Sequence, residues 1–208
     1  MGVNADGRRE LLGLKVGDSE SEPFWREFLA SLKQRGLTGV QLVVSDAHVG
    51  LTKAVGRMVQ GCSWQRCRVH GARNLLQTVP KAQQEMVAVA LCSVFSQQSK
   101  EAVLEQWEQV SAMLAAKLPR AAELLASARE DVLAFRHFPN SHWRKLWSTN
   151  LLERVNEEPT RLVGAVLLEQ DRHWQLEGRP MFSLDSMAAI PPSAETLPEP
   201  DRERAAMP

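Results

Sequence analysis

The chain has 208 residues, 44% hydrophobic and 24% charged, which suits one sizeable core plus a smaller subdomain. Lysine plus arginine equals aspartate plus glutamate at 25 each, and this zero net charge weighs against the whole chain acting as a simple electrostatic DNA binder. No apolar run approaches the roughly eighteen residues of a membrane span, and the first residues lack the apolar core of a signal peptide, so the expected location is the cytoplasm, with no membrane partner.

Met1 to Arg8 reads as a turn around Asn4-Ala5-Asp6-Gly7, opening into a strand over Arg9 to Val16 that Gly17-Asp18-Ser19 ends. Ser19 and Glu22 stand at capping-box spacing with Pro23 in the first turn. Phe24, Trp25, Phe28, Leu29 and Leu32 follow at helical spacing, read as core, and Arg35-Gly36 supplies a closing cation and a C′ glycine. Val40 to Val44 is a β-branched apolar run, the pattern of a strand buried on both faces, and Asp46 follows it. Leu51, Ala54, Val55, Met58 and Val59 make the next helical stripe, which stops at Gly61. Strand, helix, strand, helix predicts a right-handed crossover unit. In such sheets ligands and metals bind beyond the C-terminal strand ends, where Asp46 lies. The plainer alternative is that Asp46 caps the helix after it.

Ser63 to His70 alternates like a further strand. Arg66, Arg68 and Arg73, interleaved with Trp64 and His70, form a local basic patch suited to a phosphate backbone, or else a solvated strand face. Cys67 and His70 have the spacing of half a zinc site, but a structural site needs four ligands and no second pair follows, so zinc is not expected. Cys62, Cys67 and Cys92 are an odd number in a chain with no export signal, which argues against a disulfide framework. From Lys81 to Phe138 the pattern is helical throughout, with three stripes. They are Met86, Val89, Ala90, Ser93 and Val94; Val103, Leu104, Trp107, Val110, Met113 and Leu114; and Leu124, Leu125, Ala128, Val132 and Phe135, with Pro119 between the last two. Asn150 and Glu153 repeat the capping-box spacing, and Pro159 interrupts the helix that follows. Leu162 to Leu168 is an apolar segment with Glu169 to Trp174 as its polar exit. The proline-rich stretch from Pro180 predicts a disordered tail.

Three motifs are recognisable together: Ser45-Asp46-Ala47-His48-Val49-Gly50-Leu51; Trp64-Gln65-Arg66-Cys67-Arg68-Val69-His70 with Ala72-Arg73-Asn74-Leu75-Leu76; and Ser148-Thr149-Asn150 with Glu153-Arg154, Asn156 and Glu158. In this order, and with Leu162 to Gln170 behind them, they resemble the mutator-type transposases of bacterial insertion sequences, over about Gly2 to Met187. The resemblance implies an α/β fold, an incomplete ribonuclease-H-like core of mixed sheet and flanking helices, with an all-helical insertion. The expected organisation is the N-terminal part of the core over 1–79, the insertion over 80–140, the C-terminal part with the Glu helix over 141–179, and the tail over 180–208.

It also implies roles. Asp46 matches the second Asp of an Asp-Asp-Glu triad and Glu153 the Glu, with Glu157 and Glu158 as less favoured choices. Both would be metal ligands in a site of two Mg²⁺ ions about 3.5–4 Å apart, which activate the attacking oxygen and stabilise the leaving oxygen of a phosphoryl displacement. Arg66, Arg68, Arg73 and Arg154 would contact DNA, and Cys67, His70, Asn150 and Asn156 belong to the supporting motifs. The expected partners are transposon ends and target DNA, with a full-length transposase or a second copy of the chain beside them. This sequence starts after the strand carrying the family's first catalytic Asp, lacks a match to the N-terminal DNA-binding region, and passes from Glu158-Pro159-Thr160-Arg161 straight across a basic helix and loop. The expectation is therefore a truncated, internally deleted transposase, inactive alone. The alternative is a non-catalytic protein that binds a full-length transposase.

Overall fold

A computed structural model describes residues 1–17, 19–149 and 160–191, apart from the side chains of 160–163. Two compact units divide the chain: Met1–Val43 with His48–Trp64 and the residues from Thr149, and Val44–Ala47 with Gln65–Ser148. The fold is mixed α/β and mostly helical.

The first unit opens on a hairpin. β1 (Gly2–Val3) pairs antiparallel with β2 (Arg9–Glu10), Gly2 opposite Glu10. Its turn is held by Asn4, whose Oδ1 accepts from the N–H groups of Asp6 and Arg8, both at 3.0 Å. The strand expected to run to Val16 stops at Glu10, because the Leu11 N–H turns to Asp171 Oδ1 at 2.8 Å. β2 thus pairs with β1 and not with the strand before Asp46, and the first half of the expected crossover does not form.

α1 (Glu22–Gln34) is capped by Ser21, whose Oγ accepts from the Phe24 N–H, and not by Ser19. A cap at Ser19 would place Pro23 at the fourth helical position, where its missing N–H would leave the first carbonyl of the ladder unpaired. The helix ends as expected: Gly36 takes φ 101°, its N–H reaches Lys33 O at 2.9 Å and the Leu37 N–H reaches Leu32 O at 3.0 Å, a Schellman ending. α2 (Val49–Met58) packs on α1, burying Leu29 and Leu32 against Ala54, Val55 and Val59. Trp25 and Phe28 lie half-buried on the same cluster.

Where an apolar segment with a polar exit was expected, the chain forms one continuous helix, Thr160–Glu177. Leu167 and Trp174, seven residues apart and so on one face, are both buried, and the Arg9 guanidinium lies 4.7 Å from the Trp174 ring. The expected tail is folded as far as Pro191. Phe182 is buried, its N–H and that of Met181 both donate to Gly7 O, and Ser183 caps a short helix, Leu184–Ala188. The proline-rich composition concealed this anchor, because one buried aromatic outweighs its polar neighbours. Residues 192–208 lie outside the described residues.

The second unit is helical: α3 (Arg68–Leu76), α4 (Lys81–Phe95), α5 (Lys100–Lys117), α6 (Pro119–Ser127), α7 (Arg129–Val132), a 3₁₀ turn (Ala134–His137) and α8 (Asn140–Leu146). We number the helix over Thr160–Glu177 α9 and that over Leu184–Ala188 α10. Ser99 caps α5 by accepting from the Ala102 N–H, and Pro119 opens α6. Val103, Trp107, Val110 and Leu114 are buried as the second stripe requires. The first stripe is rotated: Val87, Leu91 and Val94 are buried, whereas Val89 is 65% exposed. Since nearly every residue from Met86 to Phe95 is apolar or small, periodicity cannot select a face there. Among the described residues, no helix is long and apolar enough to cross a membrane.

Candidate functional site

β3 (Leu42–Ser45) and β4 (Ser63–Arg66) form a sheet of two strands. The Ser63 N–H donates to Gln41 O at 2.9 Å and the Cys67 N–H to Ser45 O at 2.6 Å. Both numbers rise together, so the strands are parallel, as expected for a β-α-β passage through α2. Asp46 is therefore the first residue beyond β3, and Cys67 the first beyond β4. Asp46 is half-buried, and among the described residues no hydrogen bond or ion pair engages its carboxylate. The capping alternative does not hold, since the residue at the start of α2 is His48.

Cys67 is fully buried, which suits a group that fixes the strand end. The strand expected over Ser63 to His70 ends at Arg66, and Arg68 already begins α3. Alternation over Arg68-Val69-His70 was too short to separate a strand from one helical turn. The turn is nucleated by the Gly71 N–H donating to Cys67 O, while the Arg68 N–H donates to Trp147 O at 2.8 Å. His70 thus stands one turn along α3 from Cys67, on the same side.

The arginines behave differently from one another. Arg73 is exposed on α3. The Arg68 guanidinium packs 4.3 Å from the Trp147 ring and 5.4 Å from that of Phe95, and burial lowers its pKa from the ordinary arginine range. Arg66 has a buried Nε with no hydrogen-bond partner among the described residues. Burial raises the pKa of the Asp131 carboxyl, with Arg66 pulling the other way. By contrast Arg129 and Arg136 are matched by Glu108 and Glu130 at 2.6–3.1 Å, so that part of the surface is charge-balanced.

Gln65 escaped the sequence reading. It is fully buried, its Nε2 donates to Arg66 O and Val132 O, and its Oε1 accepts from the Phe135 N–H, each at 2.8 Å. The end of β4 is thereby tied to the α7–3₁₀ segment. The available signal was a polar side chain in mid-strand, on the opposite face from Trp64 and Arg66.

Asp46, Arg66, Cys67, Arg68 and His70 thus gather where β3 and β4 end. Asn150, Glu153, Arg154, Asn156, Glu157 and Glu158 lie outside the described residues. Among those described, no three His, Cys, Asp or Glu side chains come together to hold a metal ion. Asp46 alone supplies one carboxylate where a two-metal site needs several, so the described residues do not by themselves complete a fit for Mg²⁺.

The family model described as Transposase, Mutator family matches residues 1–174, and the chain belongs to that family. It is 40% identical over 219 residues to the transposase for insertion sequence element IS1081 of Mycobacterium tuberculosis, covering 98% of this chain and 52% of that protein. Identity is 32% to the transposase for IS256 in transposon Tn4001 of Staphylococcus aureus, over 89% of this chain and 52% of that protein. It is also 32% to the transposase for ISRM5 of Rhizobium meliloti, over 90% and 51% respectively. The chain spans about half the length of the curated relatives it matches.

Proposed function

We propose that Asp46 and Glu153 are two carboxylates of a ribonuclease-H-like, Mg²⁺-dependent site for DNA strand cleavage and transfer, and that these residues serve transposition only as part of a complete triad. The observation that carries this reading is the setting of Asp46: beyond a parallel strand, without a capping role, at the same end of the sheet as the strand that finishes on Arg66. Carboxylates are the groups this chemistry requires, because hard divalent cations bind oxygen and neutralise the charge that develops on the phosphoryl group. Asp46 and Glu153 would hold the metal ions, which would supply Lewis-acid activation of an attacking oxygen. The chain's own contribution is to hold Asp46 at the strand end through the Cys67–Ser45 hydrogen bond and to offer Arg66, Arg68, Arg73 and Arg154 to phosphates, with Cys67, His70, Asn150 and Asn156 shaping the site.

The test is Mn²⁺ binding, read by paramagnetic resonance on the purified chain with terminal-repeat DNA. Asp46→Asn is expected to weaken binding at least tenfold, and equal affinity would overturn the assignment. No residue of these 208 matches the family's first Asp, so the chain by itself is expected not to cut that DNA with Mg²⁺ or Mn²⁺; cutting that Asp46→Ala abolishes would show a self-sufficient site. A second reading, binding to a full-length transposase, is favoured by the outer edges of β3 and β4, unpaired among the described residues. Failure to co-elute with an intact relative removes it.

A further inference from the structure

The second unit contains a cleft of about 260 Å³ whose apolar wall the strand-transfer reading does not use. Its walls are apolar, with Leu91, Phe95, Trp107 and Leu125 among them, and Arg66 and Arg68 both line it. This volume is near the lower end of small-ligand sites, about 300 Å³. Two observations specify the charge of an occupant. First, no ion pair within the described residues engages Arg66 or Arg68, and the buried Arg66 Nε has no hydrogen-bond partner. A buried donor without a hydrogen bond is costly, and an anionic oxygen would satisfy it alongside the longer-range attraction of the Asp131 carboxylate. Second, Arg68 is held in place by Trp147 and Phe95, so its guanidinium is preorganised.

A flat apolar body with an anionic group at one end is the chemistry of a nucleotide. We propose that this cleft takes a single unstacked nucleotide of a DNA strand, its base against the apolar wall of Phe95 and Leu125 and its phosphate on Arg66 and Arg68. The proposal rests on the DNA-acting reading above and adds an unpaired-base subsite to it. Base contacts of this kind tolerate sequence, because every base presents an apolar π-face. A base leaves its stack most readily where the strand is already unpaired, so single-stranded DNA is the preferred form.

The test uses the full chain and a short single-stranded oligonucleotide carrying one 2-aminopurine, compared with the same strand abasic at that position. Binding is expected to change the 2-aminopurine emission, and the abasic strand is expected to bind at least tenfold more weakly. Arg66→Ala should lose at least tenfold in affinity for the intact strand. Leu124→Glu should do the same by repelling the phosphate; Leu124 lines the cleft and is 43% exposed, so this variant keeps its fold. Equal binding of intact and abasic strands, or an unchanged Leu124→Glu affinity, overturns the subsite. If terminal-repeat duplex is bound while the strands show no difference, the subsite alone fails. If neither duplex nor strand is bound, the DNA-acting reading fails with it.

Discussion

Gln65 shows how much one side chain can decide. Its amide satisfies Val132 O and the Phe135 N–H, two backbone groups at the far end of the helical block from β4 in sequence. Gln65→Leu would keep the volume and orphan both, at about 1–3 kcal/mol each, so a loss of about 2–6 kcal/mol in urea unfolding is expected. A change below about 1 kcal/mol would show that water replaces the bonds. His142 is a second such residue. It is buried to 1% exposure, and burial, then Lys145, lower its pKa from the ordinary 6.5. The folded state therefore holds it neutral more firmly than the unfolded chain does. Its contribution is present above the unfolded value and is lost as pH falls through the folded one. The unfolding midpoint is expected to decline between about pH 7 and 5, and His142→Asn should flatten part of that slope. His137, also lowered chiefly by burial, contributes in the same direction. A midpoint that is level across this range contradicts the assignment.

At the scale of the element, Gly50 explains a position within the Asp46 motif. A Cβ there would meet Glu20 O at 2.5 Å and Ser21 C at 2.9 Å, both backbone, so the chain entering α1 lies directly against the first turn of α2. Gly50→Ala should cost about 1–3 kcal/mol by overpacking, whereas Gly56→Ala, with nothing within 4 Å, should be neutral or slightly stabilising. Equal effects would mean that helix propensity and not close packing governs Gly50. The two ends of α1 were not equally legible. The Gly36 ending needs only local backbone geometry, and it was read correctly. The start turned on which of two serines caps, and the ladder bond that Pro23 cannot make decided for Ser21.

For the molecule as a whole, zero net charge limits what electrostatics contributes to DNA binding. If Arg66, Arg68 and Arg73 are the main phosphate contacts of the described residues, log affinity should fall with log salt at a slope of about −3, from about 0.9 per phosphate neutralised. A slope steeper than about −6 would require a basic surface beyond these three. The order of strand, Asp46, helix, strand and helical block was set by the sequence alone, because short-range hydrophobic periodicity and the Gly and Pro positions dictate local structure. The Mutator-family likeness was likewise legible from motif order. Tertiary structure decided what local pattern leaves degenerate: that Asp171 takes the Leu11 N–H and ends β2, that Phe182 folds a proline-rich segment back to Gly7, that α4 buries Val87 rather than Val89, and that Gln65 bridges to Phe135. Each of these joins residues distant along the chain, so its energy exists only once both partners are brought together, and no window of sequence contains it.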